Sequence, residues 1–490
     1  MLAPATRWVG GGCEPNVFGD TTTQHAPEAP SMSAVPAGVD PDAGPPTTIP
    51  LGHFVVGLAF LAAGALVGLG TVTEVLPALG RRATVHLLLA GWVCVTIMGA
   101  MTQFVPVWAG ATLYSRRLAS LQLLLVTIGL PGFALSFLLG ALPWVHVFGT
   151  LLLLGFWVFV YNLGRTLLGL DGLDVTTGHF AFGLASFAAL TVFGYLLALS
   201  FATPAVAALP VSHGGIRGAH VTVAVFGAIL STVYGALYQL GPMFTQTEFD
   251  RPDRLLQRLE ITAHPLGVAL LAAGRLIAWP ALARVGAMLV LLGALAVAVV
   301  LGRTLVRMRV PRTQMHTHYA VAAVALAGWA LGTAPAWLTA PSTREVTVGA
   351  SSPAGLLLFV AIGFVVLGTL YHVVPFIVWL DRYSDRLGLE QVPMIDDLYD
   401  DRLASVSFGA LVAGTALALG ALTVGLGSLA VAGAALVVSG GTLAVAALLG
   451  VLREHDRRSV RAILLAALVP ARRDGDPSDA GGTETDAARS

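Results

Sequence analysis

Long apolar runs alternate with short polar segments between about residue 50 and residue 453. Most runs extend for twenty residues or more without a charge, which is the length that an α-helix needs to cross the hydrocarbon core of a bilayer. The runs are continuous, whereas the strands of a membrane barrel alternate apolar and polar residues. The pattern therefore predicts an all-α integral membrane protein that crosses the bilayer many times.

The runs predict twelve transmembrane helices, numbered here as spans 1 to 12. Their approximate limits are 52–70, 84–107, 118–140, 144–165, 178–201, 218–242, 261–279, 284–302, 318–338, 354–380, 403–425 and 428–451. The dipeptide Trp279-Pro280 divides one long run into spans 7 and 8. The polar segments 1–49 and 470–490 are predicted to be disordered tails, which leaves a membrane domain over 50–453.

Spans 2, 6 and 10 end with one pattern, G-[AT]-[ML]-[TY]-[QH]-x-x-P. The prolines that close it are 136 and 133 residues apart: Pro106, Pro242 and Pro375. Spans 1, 5 and 9 each open with a histidine followed by an aromatic residue: His53, His179 and His318. Because these features recur in the same order at a spacing of about 135 residues, we predict three pseudo-symmetric four-helix arcs, at about 52–165, 178–302 and 318–451.

Composition and charge agree with a membrane protein. The chain of 490 residues is 56% hydrophobic and 11% charged, whereas soluble domains are about a quarter charged. The apolar surface that this composition implies is expected to contact lipid. The formal net charge is zero, so we expect no nucleic-acid partner. All 27 basic residues are Arg; 21 lie on the side of the termini and six on the other. The positive-inside rule predicts a multi-pass plasma membrane protein with both termini cytoplasmic.

Histidines are the candidate functional groups inside the predicted spans. We find no Asp or Glu within them, which argues against a proton- or cation-coupled carrier. His86 and His220 open spans 2 and 6, at 20 and 22 residues before the repeated proline. Neutral imidazole is a common ligand of haem iron and copper. The sequence therefore predicts His86 and His220 as haem ligands, and an interfacial position is the alternative.

Other polar residues of the repeat are secondary candidates. Gln103, Gln239 and His372 lie three residues before the repeated proline, where they would satisfy a freed carbonyl or contact a ligand. The histidines that open spans 1, 5 and 9 are predicted to be interfacial.

Span 2 resembles the second helix of subunit I of the haem-copper oxidases and nitric oxide reductases. It reads RATVHLLLAGWVCVTIMGAMTQFVP, with His86 near one end and Gly99 and Pro106 towards the other. The resemblance implies a cytochrome oxidase subunit I-like fold over about 400 residues, with His86 as a low-spin haem ligand. It also implies an oxidoreductase, if the protein is active.

The remaining ligands of that family do not all have counterparts. Pro353 and Gly355 stand where the family has two histidines in span 10, and span 7 offers only His264. We therefore predict no complete dioxygen-reducing centre and do not expect copper. A single haem, favoured as b-type, would lie between His86 and His220. Such a six-coordinate group transfers electrons and does not bind dioxygen.

Two functions remain open. The first is a haem protein of respiratory electron transfer, linked to a quinol or cytochrome donor and to other respiratory subunits. The alternative is a haem-free transporter, or an assembly or scaffold protein, built on the same fold. The first predicts histidines that face the interior of the bundle, and the second predicts histidines that face lipid or the interface.

Overall fold

A computed structural model of the chain describes residues 45–77 and 79–469. The predicted tails lie outside this range apart from residues 45–49, and the first helix already begins at Thr48. Within the described residues the chain is helical and contains no β-strand. The prediction of an all-α membrane protein is confirmed at this level.

The helices follow one another with short connections. They are α1 (Thr48–Val72), α2 (Gly80–Trp108), α3 (Arg116–Leu138), α4 (Leu142–Leu167), α5 (Val175–Leu199), α6 (His213–Thr245), α7 (Arg251–Leu276), α8 (Pro280–Val306), α9 (Gln314–Thr339), α10 (Pro353–Arg382), α11 (Asp401–Val424), α12 (Gly427–His455) and α13 (Val460–Leu468). Short 3₁₀ turns lie at Pro204–Ala208, Arg344–Val346, Ser384–Arg386 and Ile395–Leu398.

Eleven of the described helices are long and apolar enough to cross a membrane, and α7 and α13 are not among them. The eleven coincide with predicted spans. The remaining prediction, span 7, falls on α7, which is 26 residues long and carries six charged side chains. Five of these charges lie in its first ten residues, so the apolar part of the helix is short.

Helix α7 nevertheless runs beside α8 for its whole length. The two helices form an antiparallel hairpin around Trp279, and glycines allow their backbones to approach closely. Contacts between the two helices pair residues that are about equally far from the turn along the whole hairpin. The pairs are Asp253–Arg303, His264–Gly293, Gly267–Val290 and Gly274–Ala283. The hairpin therefore has two arms of similar length, although only α8 is apolar throughout.

Among the described residues, three helices change from α to π geometry at a point that begins 19 residues before the repeated proline. The π segments are Leu87–Val93 in α2, Val223–Leu230 in α6 and Leu356–Ile362 in α10. These are the helices that share the Gly…Pro pattern. Since π turns are rare and frequent at functional sites, their recurrence at one place in three helices was not expected from the sequence.

The glycine of the shared pattern packs against a histidine of the preceding helix. A Cβ atom on the glycine would lie 2.6, 2.6 and 2.7 Å from the histidine Cβ in the pairs Gly99–His53, Gly235–His179 and Gly368–His318. The three histidines are 0, 4 and 0% exposed. The prediction that they are interfacial is wrong, because the missing glycine side chain leaves room for the imidazole inside the bundle.

The two ends of the described chain meet at one face of the bundle. Arg458 donates from Nη2 to the Thr47 hydroxyl at 3.1 Å, and α13 packs on α1 where Ala467 covers Gly52. We name this the terminal face and the opposite one the distal face.

Candidate functional site

His86 lies in the distal half of α2, beside aromatic side chains of α3. Its Nδ1 donates to the carbonyl of Arg82 at 2.8 Å, one turn earlier in the helix. The imidazole centroid is 4.9 Å from the ring of Phe133 and 6.4 Å from that of Phe137. Because a carbonyl only accepts, Nδ1 carries a hydrogen, and in the neutral imidazole Nε2 is therefore an acceptor or a ligand.

His220 lies at the corresponding depth of α6 and packs on α5. Its Nδ1 donates to the carbonyl of Leu190 at 2.9 Å, and a Cβ atom on Gly194 would lie 3.0 Å from the ring, so the glycine gives the imidazole room beside α5. This bond again leaves Nε2 of the neutral imidazole as an acceptor or a ligand. The structure thus places His86 and His220 at matching depths of α2 and α6, each bonded to a backbone carbonyl.

A basic cavity of about 400 Å³ opens at the distal face. Arginines from four separate segments line it: Arg82, Arg217, Arg275 and Arg344. Arg82 precedes His86 by one turn, and Arg217 precedes His220 by one turn. The cavity therefore shares α2 and α6 with the two histidines, and its lining favours an anion.

Arg275 is the buried member of this cavity, with 4% of its side chain exposed. Nε donates to the Pro341 carbonyl at 2.9 Å, and Nη1 donates to the Thr222 hydroxyl at 2.7 Å. The guanidinium lies 5.3 Å from the ring of Trp337. Its Nη2 has no hydrogen-bond partner among the described residues, so a donor is available to a bound acceptor.

No protein-family model and no curated protein sequence matches the chain. The resemblance to the haem-copper oxidases thus rests on the α2 motif and on the arrangement of spans. It stays a prediction.

The secondary candidates do not form one site. Gln103 is buried and its Oε1 lacks a hydrogen-bond partner in the described residues, whereas Gln239 is exposed. His372 packs between aromatic rings, 4.2 Å from Phe244 and 6.3 Å from Phe376. Among the described residues, neither a hydrogen bond nor a ring contact joins any two of these three side chains.

A carboxylate is buried in the bundle just outside the predicted spans. Glu260 of α7 is 0% exposed and lies one residue before the predicted start of span 7. His179 Nε2 is 3.1 and 3.2 Å from its two carboxylate oxygens. The sequence places these partners 81 residues apart, so hydropathy alone does not reveal the contact.

Two ion-paired aspartates lie at the terminal end of the hairpin. Arg303 donates to Asp253 at 2.7 Å and to Asp250 at 2.7 Å, and Arg307 donates to both carboxylates as well. Burial opposes ionisation of Asp253, but the bonds from Arg303 and Arg307 outweigh it and lower its pKa to about 2. This network anchors α7 to α8 outside the apolar part of the hairpin.

Proposed function

We propose that the protein binds one haem near the distal face and takes part in respiratory electron transfer. His86 and His220 would hold its iron. The observation that carries the proposal is the matched bonding of the two imidazoles: each donates from Nδ1 to a backbone carbonyl, which leaves Nε2 of the neutral ring for a metal. Histidines that bind metals almost always donate their other nitrogen in this way.

The arginine cavity supports the same proposal. Haem carries two propionate carboxylates, and guanidinium groups bind carboxylates through charge-assisted hydrogen bonds. Arg82 and Arg217 lie one turn distal to His86 and His220, and Arg275 has a donor to spare. The histidines on α2 and α6 would therefore bind the iron, and the arginines on α2, α6 and α7 would bind the propionates.

A haem bound in this way supplies one-electron oxidation and reduction. With two histidine ligands, the iron would have no open site for dioxygen. The side chains of the protein would bind and orient the haem and exclude water from it. Phe133 and Phe137 line one side of His86 and would supply an apolar contact. A quinol or cytochrome donor, and other respiratory subunits, are the partners that fit this role.

The proposal includes a twelve-span, oxidase-like arrangement with both termini cytoplasmic. Helix α7 would be the twelfth span, because it pairs with α8 along its whole length. An even number of spans keeps both ends of the chain on one side, where 21 of 27 arginines lie.

A visible spectrum tests the proposal. The full chain is expressed with ample haem, purified in detergent and measured as the reduced minus oxidised difference, together with iron analysis. We expect the sharp bands of a low-spin haem and one iron per chain. His86→Ala and His220→Ala should each abolish the low-spin spectrum, and His146→Ala, on the distal end of α4, should leave it unchanged.

A flat spectrum without iron would overturn the haem proposal. The alternative, a haem-free transporter or a scaffold for respiratory subunits, would then be the better description. Loss of the spectrum in the His146 variant as well would show that the substitutions act through folding.

A further inference from the structure

The second arc contains an ionisable pair that the other arcs lack. His53, His179 and His318 share one position, and each donates from Nδ1 to the carbonyl four residues earlier at 2.7 to 2.8 Å. Their Nε2 atoms face the third helix of the arc, and there the partners differ. The partners are Gln122 on α3, Glu260 on α7 and the ring of Phe408 on α11.

The contact of His179 with Glu260 requires a proton between them. A carbonyl oxygen only accepts, so Nδ1 of His179 holds a hydrogen and donates it to Val175. A carboxylate also only accepts, so the contact of 3.1 Å is a hydrogen bond only with a proton on Nε2 or on Glu260. The pair therefore holds one proton more than a neutral imidazole beside a carboxylate.

The first arc needs no such proton. Gln122 Nε2 carries its own hydrogens and donates to His53 Nε2 at 3.2 Å. That site is complete with a neutral imidazole and a neutral amide. In the third arc, His318 Nε2 has no hydrogen-bond partner among the described residues and faces aromatic rings. The difference between the arcs is thus a carboxylate, at a place where its two counterparts are neutral.

We propose that His179 and Glu260 form a proton-binding site within the membrane, which exchanges one proton with the terminal face. Release of the proton leaves a net negative charge among buried side chains, and uptake removes that charge. Such a site couples the protonation of the protein to the membrane potential, since the charge moves part of the way across the bilayer.

The surroundings of Glu260 are polar and lead towards the terminal face. The Tyr238 hydroxyl lies near the Glu260 carboxylate and has no completed hydrogen bond within the described residues. Tyr238 and Thr304 also line a cavity of about 10 Å³, which is the space that one water molecule requires. Thr304 adjoins Arg303, which is bonded to Asp253. Tyr238, the small cavity, Thr304 and Arg303 thus form a series of polar sites from Glu260 to the ion-paired aspartates, which lie about 10 Å away along α7.

The ionisable groups around Glu260 come from three helices. They are His179 on α5, Tyr234 and Tyr238 on α6, and His264 on α7 itself. His264 donates from Nε2 to the Phe226 carbonyl at 2.9 Å, so its Nδ1 is an acceptor. Helix α8 presents no ionisable side chain between Arg284 and Arg303. Glu260 is therefore the acid of this cluster.

The repeat supplies matched variants for the test. Glu260→Gln turns the second site into a copy of the first, and Gln122→Glu turns the first into a copy of the second. We would count the protons that the purified full chain releases in detergent between about pH 5 and about pH 10, with infrared spectra of the carboxylate and imidazole bands. We expect one proton fewer per chain in E260Q than in the wild type, and one more in Q122E.

Equal proton counts in the wild type and E260Q would overturn the proposal, and so would carboxylate and imidazole bands whose changes with pH are the same in the wild type and in E260Q. If E260Q does not fold, Glu260→Asp keeps the acid, and its band must still titrate. In liposomes, release must appear at the terminal face, and release at the distal face alone would also be contradictory. E260Q must also release one proton fewer when it is made in the His86→Ala, His220→Ala background, which separates this site from haem binding.

Discussion

Gly235 of α6 lies so close to His179 of α5 that a methyl group on the glycine would come within 2.6 Å of the His179 Cβ atom. The carbonyl of Gly235 also accepts from the Thr176 hydroxyl at 3.1 Å. The contact holds the imidazole in the interior and aligns it with Glu260. It joins the first two helices of the second arc.

We expect Gly235→Ala to lower the stability of the protein by about 1–3 kcal/mol, because an added methyl group must displace His179 or separate the helices. Thermal unfolding in detergent measures the change. Gly241→Ala in the same helix is the control, since its added Cβ would have no neighbour within 4 Å. Equal changes in both variants would mean that the contact with His179 does not decide the result, because the higher helix propensity of alanine acts in the same direction at both positions.

If the arginines bind the propionates and the histidines bind the iron, an arginine substitution should change the affinity for haem but not its absorption spectrum. We expect Arg217→Gln to weaken haem binding about tenfold or more, through loss of a charge-assisted contact, without changing the position of the absorption bands. Competition with apomyoglobin measures the retention. Arg284→Gln is the control, because Arg284 lies on the distal part of α8 and does not line the cavity. A changed spectrum in the Arg217 variant would contradict the assignment of His220 as the ligand.

Helix α7 provides a direct test of the twelve-span arrangement. In a background in which Cys13 and Cys94 are replaced by Ala, single cysteines are placed at Glu248 and Ala278, before and after α7. If α7 crosses the membrane, an impermeant maleimide labels the two positions from opposite sides. We expect Ala278→Cys to react in intact cells, and Glu248→Cys to react only after permeabilisation. Labelling of both from the same side would exclude α7 as a span.

The ion-paired aspartates predict a loss of stability in acid. The pKa of Asp253 is lowered from 3.8 to about 2, so its ionised form stabilises the folded state at any pH above its unfolded value. This contribution declines as the pH falls from about 4 towards about 2. We therefore expect Asp253→Asn to unfold more easily than the wild type at neutral pH, and the difference to shrink in acid.

Chemical or thermal unfolding at several pH values measures that difference. Asp385→Asn is the control, because Asp385 is an exposed residue of a surface turn. A difference between Asp253→Asn and the wild type that does not change with pH would show that the carboxylate does not stabilise the hairpin through its charge.

Hydropathy was sufficient to locate the apolar helices, because each has a nearly uncharged stretch as long as the bilayer is thick. It also located the breaks at Trp279-Pro280, where Pro280 begins α8, and after Val424, where Gly425 ends α11. Span 7 shows the limit of this approach. Charged residues in the first turns of α7 reduce its hydropathy, although α7 packs against α8 throughout.

The sites were harder to predict, because their members are distant in the sequence. His86 and His220 were recognised by their equal distance from a repeated proline. The arginine cavity was missed, since its members come from four segments that meet only in the folded chain. Glu260 was missed because it falls at the charged edge of an apolar run, where a solvated side chain is the usual outcome.

The π segment of α6 makes the length of that helix as important as its composition. Its Phe226 carbonyl accepts from the Ser231 hydroxyl and from His264, so two side chains depend on the wide turn. Deletion of one residue from Val223–Leu230 would tighten the segment to an α-helix and rotate everything beyond it by about 100°. Gly235 and Tyr238 would then turn away from His179. Descendants of this protein can exchange side chains in α6 more freely than they can gain or lose a residue there.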